Sequence, residues 1–266
     1  MKFATSASAL FLSGLAVAAP LTEKRMEAKA RRASSSRHSN FPYAVGTTDK
    51  LVLTNTTHEQ YSSNWAGAVL IGTGYSSVTA EFTIPTPSAP SGGSSSTQYC
   101  ASAWVGLDGD TCSTAILQTG IDVCIKNGAT SFDAWYEWYP DYAYDFSGIT
   151  MSVGDKIKTT VTASSKSAGK ATIENVTTGK SVSHSFSGES NELCEYNAEW
   201  IVEDFESGSS MVPFADFGTF TFTGAEATQS GSTVDTSGAT IMDIKQDSTV
   251  LTSSSASGST VTVKYT

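Results

Sequence analysis

From residue 61 to the last residue the chain is a succession of short β-branched and aromatic runs bounded by Gly, Ser, Thr, Asn and Pro, with no amphipathic stretch of three helical turns. Runs at 68–70, 78–84, 157–163, 171–176, 181–186, 217–222 and 259–265 read as strands, because branched and aromatic side chains suit a pleated surface. Within 155–162, Ile157, Thr159 and Val161 fall on one face, and Lys156, Lys158, Thr160 and Thr162 fall on the other. Thr178-Gly179 reads as the turn of a hairpin over 175–181, with glycine supplying a positive φ. No internal repeat divides the pattern, so residues 60–266 are expected to form one all-β domain, a two-sheet antiparallel sandwich. The Pro/Ser/Gly run at 85–97 is expected to be its mobile loop.

The N-terminus reads differently. Lys2, a short apolar stretch at 9–17 and the small residues Ala16-Val17-Ala18 make a signal peptide over 1–18, with export as its consequence. That stretch is too short to span a bilayer as a helix, and no other run reaches about 18 apolar residues. Residues 19–59 read as a propeptide: Lys24, Arg25, Lys29, Arg31, Arg32, Arg37 and Lys50 outnumber Glu23, Glu27, Asp49 and Glu59, and large apolar residues are few.

Charge sharpens this division. The whole chain has 16 Lys plus Arg against 26 Asp plus Glu, a net charge of −10, which excludes nucleic acid as a natural partner. Residues 1–59 carry eight of the basic residues, all the arginines among them, and four of the acidic ones. The remainder holds 8 basic and 22 acidic residues and a net charge of −14. A basic segment beside so acidic a domain suggests an electrostatic lid, held while carboxylates are ionised and weakened as they protonate.

Cys100, Cys112, Cys124 and Cys194 are even in number and lack any CxxC spacing. In an exported chain they read as two disulfides rather than a zinc site, and four cysteines leave three connectivities open. No metal or other cofactor is expected. HExxH and GxSxG are both missing. The one histidine beyond residue 59, His184, lies in a serine-rich strand and reads as a lightly packed surface residue, which removes triad chemistry. A hydrolase of this composition must work through a carboxylate. Asn175-Val176-Thr177 matches a glycosylation sequon, and Asn55-Thr56-Thr57 would leave with the propeptide.

Three segments concentrate aromatic and acidic residues: 104–120, 133–140 and 198–206. Read as strands, the second puts Asp133, Trp135, Glu137 and Tyr139 on one face, and the third groups Glu199, Ile201 and Glu203. Tryptophans beside carboxylates on one sheet face make a groove for a polymer and raise a carboxyl pKa by desolvation. Trp138 and Trp200 read equally well as core. On residue types alone Glu199 and Glu203 are not distinguished, and a polysaccharide hydrolase using Glu137 and Glu203, or a lectin-like module without chemistry, fits the same groove.

Tyr61-Ser62-Ser63-Asn64-Trp65-Ala66-Gly67, Ala103-Trp104-Val105-Gly106 with Asp108-Gly109-Asp110-Thr111-Cys112, Ala115-Ile116-Leu117-Gln118-Thr119-Gly120, residues 133–146, and Asn197-Ala198-Glu199-Trp200-Ile201-Val202-Glu203-Asp204-Phe205 together resemble the fungal glutamic peptidases, the eqolisins. The resemblance extends into the N-terminal segment, through Pro20-Leu21-Thr22-Glu23-Lys24-Arg25 and Arg37-His38-Ser39-Asn40. It implies a concanavalin-like jelly roll, a catalytic dyad of Gln118 and Glu203, and disulfides Cys100 to Cys124 and Cys112 to Cys194. It further implies a substrate groove lined by Trp65, Trp104, Asp108, Asp122, Asp133, Glu137, Tyr139 and Glu206. The substrate class it implies is protein, cleaved by an endopeptidase in acid; with the signal peptide and basic segment, a secreted enzyme is expected, a monomer by default, with its own propeptide as an intramolecular inhibitor. In the family's type member a basic peptide is excised from the loop that corresponds to 88–97; here that loop has no Lys or Arg, so a single mature chain starting near Glu59 or Gln60 is expected.

Overall fold

The computed structural model describes residues 38–43, 59–207 and 210–266. The signal peptide expected over 1–18, and most of the propeptide expected over 19–59, lie outside these residues.

Among the described residues two large sheets carry the fold. The back sheet runs in the order Lys180–Ser187, Ala168–Asn175, Lys156–Ser165, Tyr75–Thr83, Thr219–Gln229, Thr260–Tyr265, Thr252–Ser257, with Ser232–Val234 paired to Thr219–Gln229. The front sheet runs Thr249–Val250, Thr240–Gln246, Trp65–Ile71, Asn197–Glu203, Tyr99–Leu107, Ile116–Lys126, Ala129–Tyr139, Tyr144–Asp145. Nearly every pairing is antiparallel, the exception in these sheets being Glu59–Ser62 beside Thr240–Gln246. This is the antiparallel sandwich that the sequence pattern implies.

In the back sheet the period-2 prediction holds: Ile157, Thr159 and Val161 are buried, whereas the lysines and threonines between them remain accessible. The hairpin at Thr178-Gly179 joins Ala168–Asn175 to Lys180–Ser187, and Gly179 takes φ 70°. Phe82, Phe220, Phe222, Val261 and Val263 from this sheet meet Ala66, Ala68, Ala103, Val105, Leu117, Trp200 and Val202 from the front sheet in one continuous core. Trp138 and Trp200 belong to that core, and Trp200 Nε1 donates to the Thr79 carbonyl across the sandwich (2.9 Å). A bulky aromatic thus fills the inter-sheet space without leaving its N–H unpaired.

The front sheet departs from alternation. Tyr99–Leu107 and Asn197–Glu203 are buried at every position, and Ile116–Lys126 is buried through its first nine. Its second face carries a separate cluster of Trp65, Val69, Trp104, Ile116, Trp135, Ile201 and Met242. Disulfides join Cys100 to Cys124, which are cross-strand neighbours, and Cys112 to Cys194. These are the pairs that the family resemblance implies. The 85–97 run is a loop with tight turns, Gly93 N–H to Pro90 O and Thr97 N–H to Ser94 O, and Ser88 bridges to Asp216.

The sequon at Asn175 is corrected by the fold. Its side chain is buried; Nδ2 donates to the Thr150 carbonyl (3.0 Å) and to Asp155 Oδ2 (2.9 Å), and Oδ1 accepts from the Thr178 amide (3.2 Å). The asparagine is an internal brace for the hairpin, and the folded protein offers no exposed Nδ2 for a glycan.

Candidate active site

The second face of the front sheet places Gln118, Glu137 and Glu203 together. Gln118 lies third in Ile116–Lys126, and Glu137 on Ala129–Tyr139 is directly opposite it across the sheet. Glu203 ends the Asn197–Glu203 strand, flanked by Trp65 on one neighbour and Ser102 on the other. Alternation turns Glu199, Ile201 and Glu203 to this face while Trp200 and Val202 enter the inter-sheet core.

Two glycines in the motifs are explained by Trp104. A Cβ added at Gly120 would lie 2.4 Å from Trp104 Cβ, and one at Gly106 would lie 2.7 Å from the Trp104 ring. The indole is therefore laid against backbone on a crowded face, and its Nε1 reaches Glu203 Oε2 at 2.9 Å. Trp65 stands edge-on to Trp104, with ring centroids 5.0 Å apart, and holds it there.

Glu203 is fully buried and receives four hydrogen bonds. Oε1 accepts from Asn64 Nδ2 and from the amide of Phe41, both at 3.2 Å. Oε2 accepts from Trp104 Nε1 and from Asn40 Nδ2 (2.8 Å). Burial pushes its pKa well above the usual carboxylate range, and the charge of Glu137 adds to the rise, against the lowering effect of Asn40, Trp104 and Asn64. Gln118 Nε2 donates to Glu137 Oε2 (3.1 Å) and to the Asn40 carbonyl (2.9 Å). Gln118 Oε1 is buried with no hydrogen-bond partner.

Residues 38–43 thus run through the site. His38–Ser39 pairs antiparallel with Glu206–Ser207. The Asn40 amide donates to Glu137 Oε2 (3.0 Å), and the Phe41 carbonyl accepts from Trp65 Nε1 (3.0 Å). Tyr43 closes the stretch, its amide on the Gly109 carbonyl (3.0 Å) and its hydroxyl on the Tyr61 carbonyl (2.9 Å). Phe41 packs edge-on to Tyr139 at 5.9 Å. A groove of about 630 Å³ continues beside Glu203, lined by Phe41, Pro42, Asn64, Glu206, Met211 and Lys245 among others. Among the described residues, the segment's contacts with Glu203 and Glu137 are made by peptide and carboxamide N–H groups; the basic side chains that suggested an electrostatic lid lie outside the described residues.

The remaining expected groove residues divide. Trp65, Trp104, Glu137 and Tyr139 touch the segment or the dyad positions, and Glu206 supplies strand pairing to Ser39. Asp122 lies one glycine beyond Gln118 on the same face, bonded to Ser102 and Trp135; burial, then the charges of Asp133 and Asp145, push its pKa well up. Asp133 is its exposed cross-strand neighbour. Asp108, in contrast, turns into the protein: at φ 70° it accepts the amides of Cys194, Glu195, Tyr196 and Asn197 at 2.7 to 3.2 Å. It clamps the loop entering the Glu203 strand instead of lining the groove. Glu199 is buried with neither carboxyl oxygen hydrogen-bonded, and burial followed by the charges of Asp108 and Asp110 drives it toward the neutral form. Asn64 and Asn40, both in direct contact with Glu203, were not identified from sequence; position 64 carries a signal only as part of the Ser-Ser-Asn-Trp motif. His184 is half-buried and stacked on Tyr136 at 4.1 Å.

The sequence model of the peptidase A4 family matches residues 63–265. Among characterised proteins the chain is 61% identical over 281 residues to Aspergillopepsin-2 of Aspergillus niger, with all of both chains covered. It is 43% identical over 278 residues to Scytalidopepsin B of Scytalidium lignicola, again over the whole of both. Scytalido-glutamic peptidase, solved with a transition state analog inhibitor, superposes with a TM-score of 0.71 at 48% identity, covering 77% of this chain and 98% of that one. Aspergilloglutamic peptidase from Aspergillus niger gives 0.62 at 70% identity, covering 63% and 99% respectively.

Proposed function

The chain belongs to the peptidase A4 family of glutamic peptidases, and from that premise we propose that it is a secreted endopeptidase acting on polypeptides in acid, with Glu203 and Gln118 as its catalytic pair. One observation carries this reading. The Asn40–Phe41 peptide bond lies across the two side chains, its carbonyl oxygen on Gln118 Nε2 (2.9 Å) and its N–H on Glu203 Oε1 (3.2 Å).

A peptide bond held in that way presents the atoms that change charge in hydrolysis to the groups suited to meet them. Glu203 as carboxylate takes a proton from a water as the water oxygen bonds to the carbonyl carbon. Gln118 Nε2–H stabilises the oxyanion, a contribution of about 3 kcal/mol to the barrier. The tetrahedral species collapses, the C–N bond breaks, and protonated Glu203 returns its proton to the leaving nitrogen. Gln118 Oε1, buried and unpartnered, is available to accept the second hydrogen of the attacking water. An amide keeps the same hydrogen-bonding capacity at every pH, which suits an enzyme of acid.

The pKa of Glu203 is compatible with both steps. Residues 40 and 41 contribute to its burial, and their departure admits water to the carboxylate. Asn64 and Trp104 then remain as donors that favour the ionised form required of the base. The raised affinity for a proton helps the carboxylate take it from water and keep it until the leaving nitrogen, the stronger base, accepts it. Residues 38–43, as part of a propeptide removed after export through the signal at 1–18, would hold the enzyme latent until processing to a single chain. Acid-denatured protein and a panel of polysaccharides, each incubated with the processed enzyme at low pH, test the reading. Protein is expected to be cut and the polysaccharides left intact, with Gln118→Ala lowering kcat about 100- to 1,000-fold. Hydrolysis of a polysaccharide, or full activity in Gln118→Ala, would overturn it.

A further inference from the structure

Residues 38–43 hold a peptide bond against both dyad positions, so their sequence must contain what separates an inhibitor from a substrate. The main chain is fixed at each residue from 39 to 41. Ser39 is strand-paired to Glu206, the Asn40 amide is on Glu137, the Asn40 carbonyl is on Gln118, and the Phe41 amide and carbonyl are on Glu203 and Trp65. None of these bonds depends on side-chain identity, and each would be made by a polypeptide about to be cut.

The Asn40 side chain is the exception. It is fully buried, and its Nδ2 donates to Glu203 Oε2 at 2.8 Å, beside the indole N–H of Trp104 at 2.9 Å. With Phe41 N–H and Asn64 Nδ2 on Oε1, all four lone-pair positions of the carboxylate are filled. A base whose lone pairs are all engaged has none left to receive a water proton. The orientation also costs something: Asn40 Oδ1 is buried with no hydrogen-bond partner, so the loss of its hydration is uncompensated. A side chain placed at that cost, with its donor on the catalytic carboxylate, is positioned by the contact with Glu203.

We propose that Asn40 converts residues 38–43 from a substrate into an inhibitor, its carboxamide capping Glu203 Oε2 and taking the place of the attacking water while the Asn40–Phe41 bond lies uncut across the dyad. This rests on Glu203 being the base. Asn40 is then a self-directed mimic of the nucleophile, delivered by the same residue whose carbonyl would be attacked. Neighbouring contacts lock the register: Tyr43 is tied to Gly109 and Tyr61 on one side, and Ser39 to Glu206 on the other, so the carboxamide cannot slide off the carboxylate without breaking both.

The test uses the processed enzyme, obtained by acid treatment of the secreted full chain, and two synthetic heptapeptides. One is Arg-His-Ser-Asn-Phe-Pro-Tyr, the sequence of residues 37–43; the other carries Asn40→Ala. Inhibition of the digestion of acid-denatured protein gives an inhibition constant for each, and mass spectrometry of the same mixtures shows whether the peptide is cut between residues 40 and 41. The native heptapeptide is expected to inhibit competitively and to remain intact. The Asn40→Ala peptide is expected to inhibit at least tenfold more weakly and to be cut at that bond. Equal inhibition by the two, no inhibition by the native peptide, cleavage of the native peptide at the rate of the variant, or an uncut variant each overturns the proposal. Digestion of the protein substrate in the control without peptide is read separately: if Glu203→Gln retains it, the assignment of the base has failed; if it is lost there while the peptides behave alike, only the role of Asn40 has.

Discussion

In the back sheet, buried and accessible positions alternate along Lys156–Ser165, and the outward face is a solvated lawn of threonine, serine and lysine. In the front sheet, Tyr99–Leu107 and Asn197–Glu203 are buried on both faces, and the face away from the core buries Asp122, Glu137, Glu199 and Glu203 among tryptophans. The strands and their pairing are alike; what differs is the use of the second face. A carboxylate removed from water is costly unless it gains a proton or a set of hydrogen bonds. The front sheet applies both remedies, four donors on Glu203 and a Glu199 driven toward the neutral form four residues earlier on the same strand. The sheet that looks less regular in sequence is the one that holds the proposed catalytic pair.

The sharpest way to break this comparison is to exchange what each face is asked to do. Trp200 projects from the Asn197–Glu203 strand into the inter-sheet core, so Trp200→Ala should lower stability by about 3 to 5 kcal/mol, seen as a large drop in the thermal midpoint. A midpoint that hardly moves would mean that the core does not depend on the face opposite Glu203.

A comparable effect is expected from pH. Burial lifts Asp204 to about 7, against the opposing bond from Gln246, whereas an unfolded aspartate titrates near 3.9. Between those values the folded state binds more protons than the unfolded one, so stability is fully present in acid and falls as pH rises through about 4 to 7, by about 4 kcal/mol from this group. Asp108, Asp110, Asp122, Asp145, Glu199 and Glu203 shift in the same direction. Denaturant midpoints from pH 4 to 7 should therefore decline steadily, and Asp204→Asn should flatten part of that decline. A stability that rises over this range would contradict the account.

The smallest effect belongs to the back sheet's outer face. Ser181→Thr, at an exposed position of its edge strand, should change stability by no more than about 0.5 kcal/mol and leave kcat unaltered. A larger change would show that this face, too, is engaged.

The same contrast explains what the amino-acid pattern revealed. Period-2 alternation exposes a strand only when one face meets water, so 157–163, 171–176 and 181–186 were read at nearly their observed bounds. Tyr99–Leu107, Ile116–Lys126 and Thr240–Gln246 gave no such signal, because burial on both faces removes the period. Asp133, Trp135, Glu137 and Tyr139 were grouped correctly by alternation, yet alternation could not choose between Glu199 and Glu203, which share a face. Their difference lies in partners from distant segments, Asn64 and Trp104 for one and no hydrogen-bond donor for the other. Asp108 and Asn175 were misread for a related reason: an acid in a motif and a sequon are local patterns, and each side chain turns inward to brace backbone that sequence spacing does not reveal.

The central claim is that Glu203 is the base while Glu199, four residues earlier on the same strand and face, is only buried. Steady-state kcat on acid-denatured protein, measured for processed Glu203→Gln and Glu199→Gln beside their thermal midpoints, puts it to the test. Glu203→Gln is expected to lose kcat by about 100- to 10,000-fold with its fold retained, while Glu199→Gln keeps most of its turnover. Substantial activity in Glu203→Gln together with its loss in a folded Glu199→Gln would contradict it.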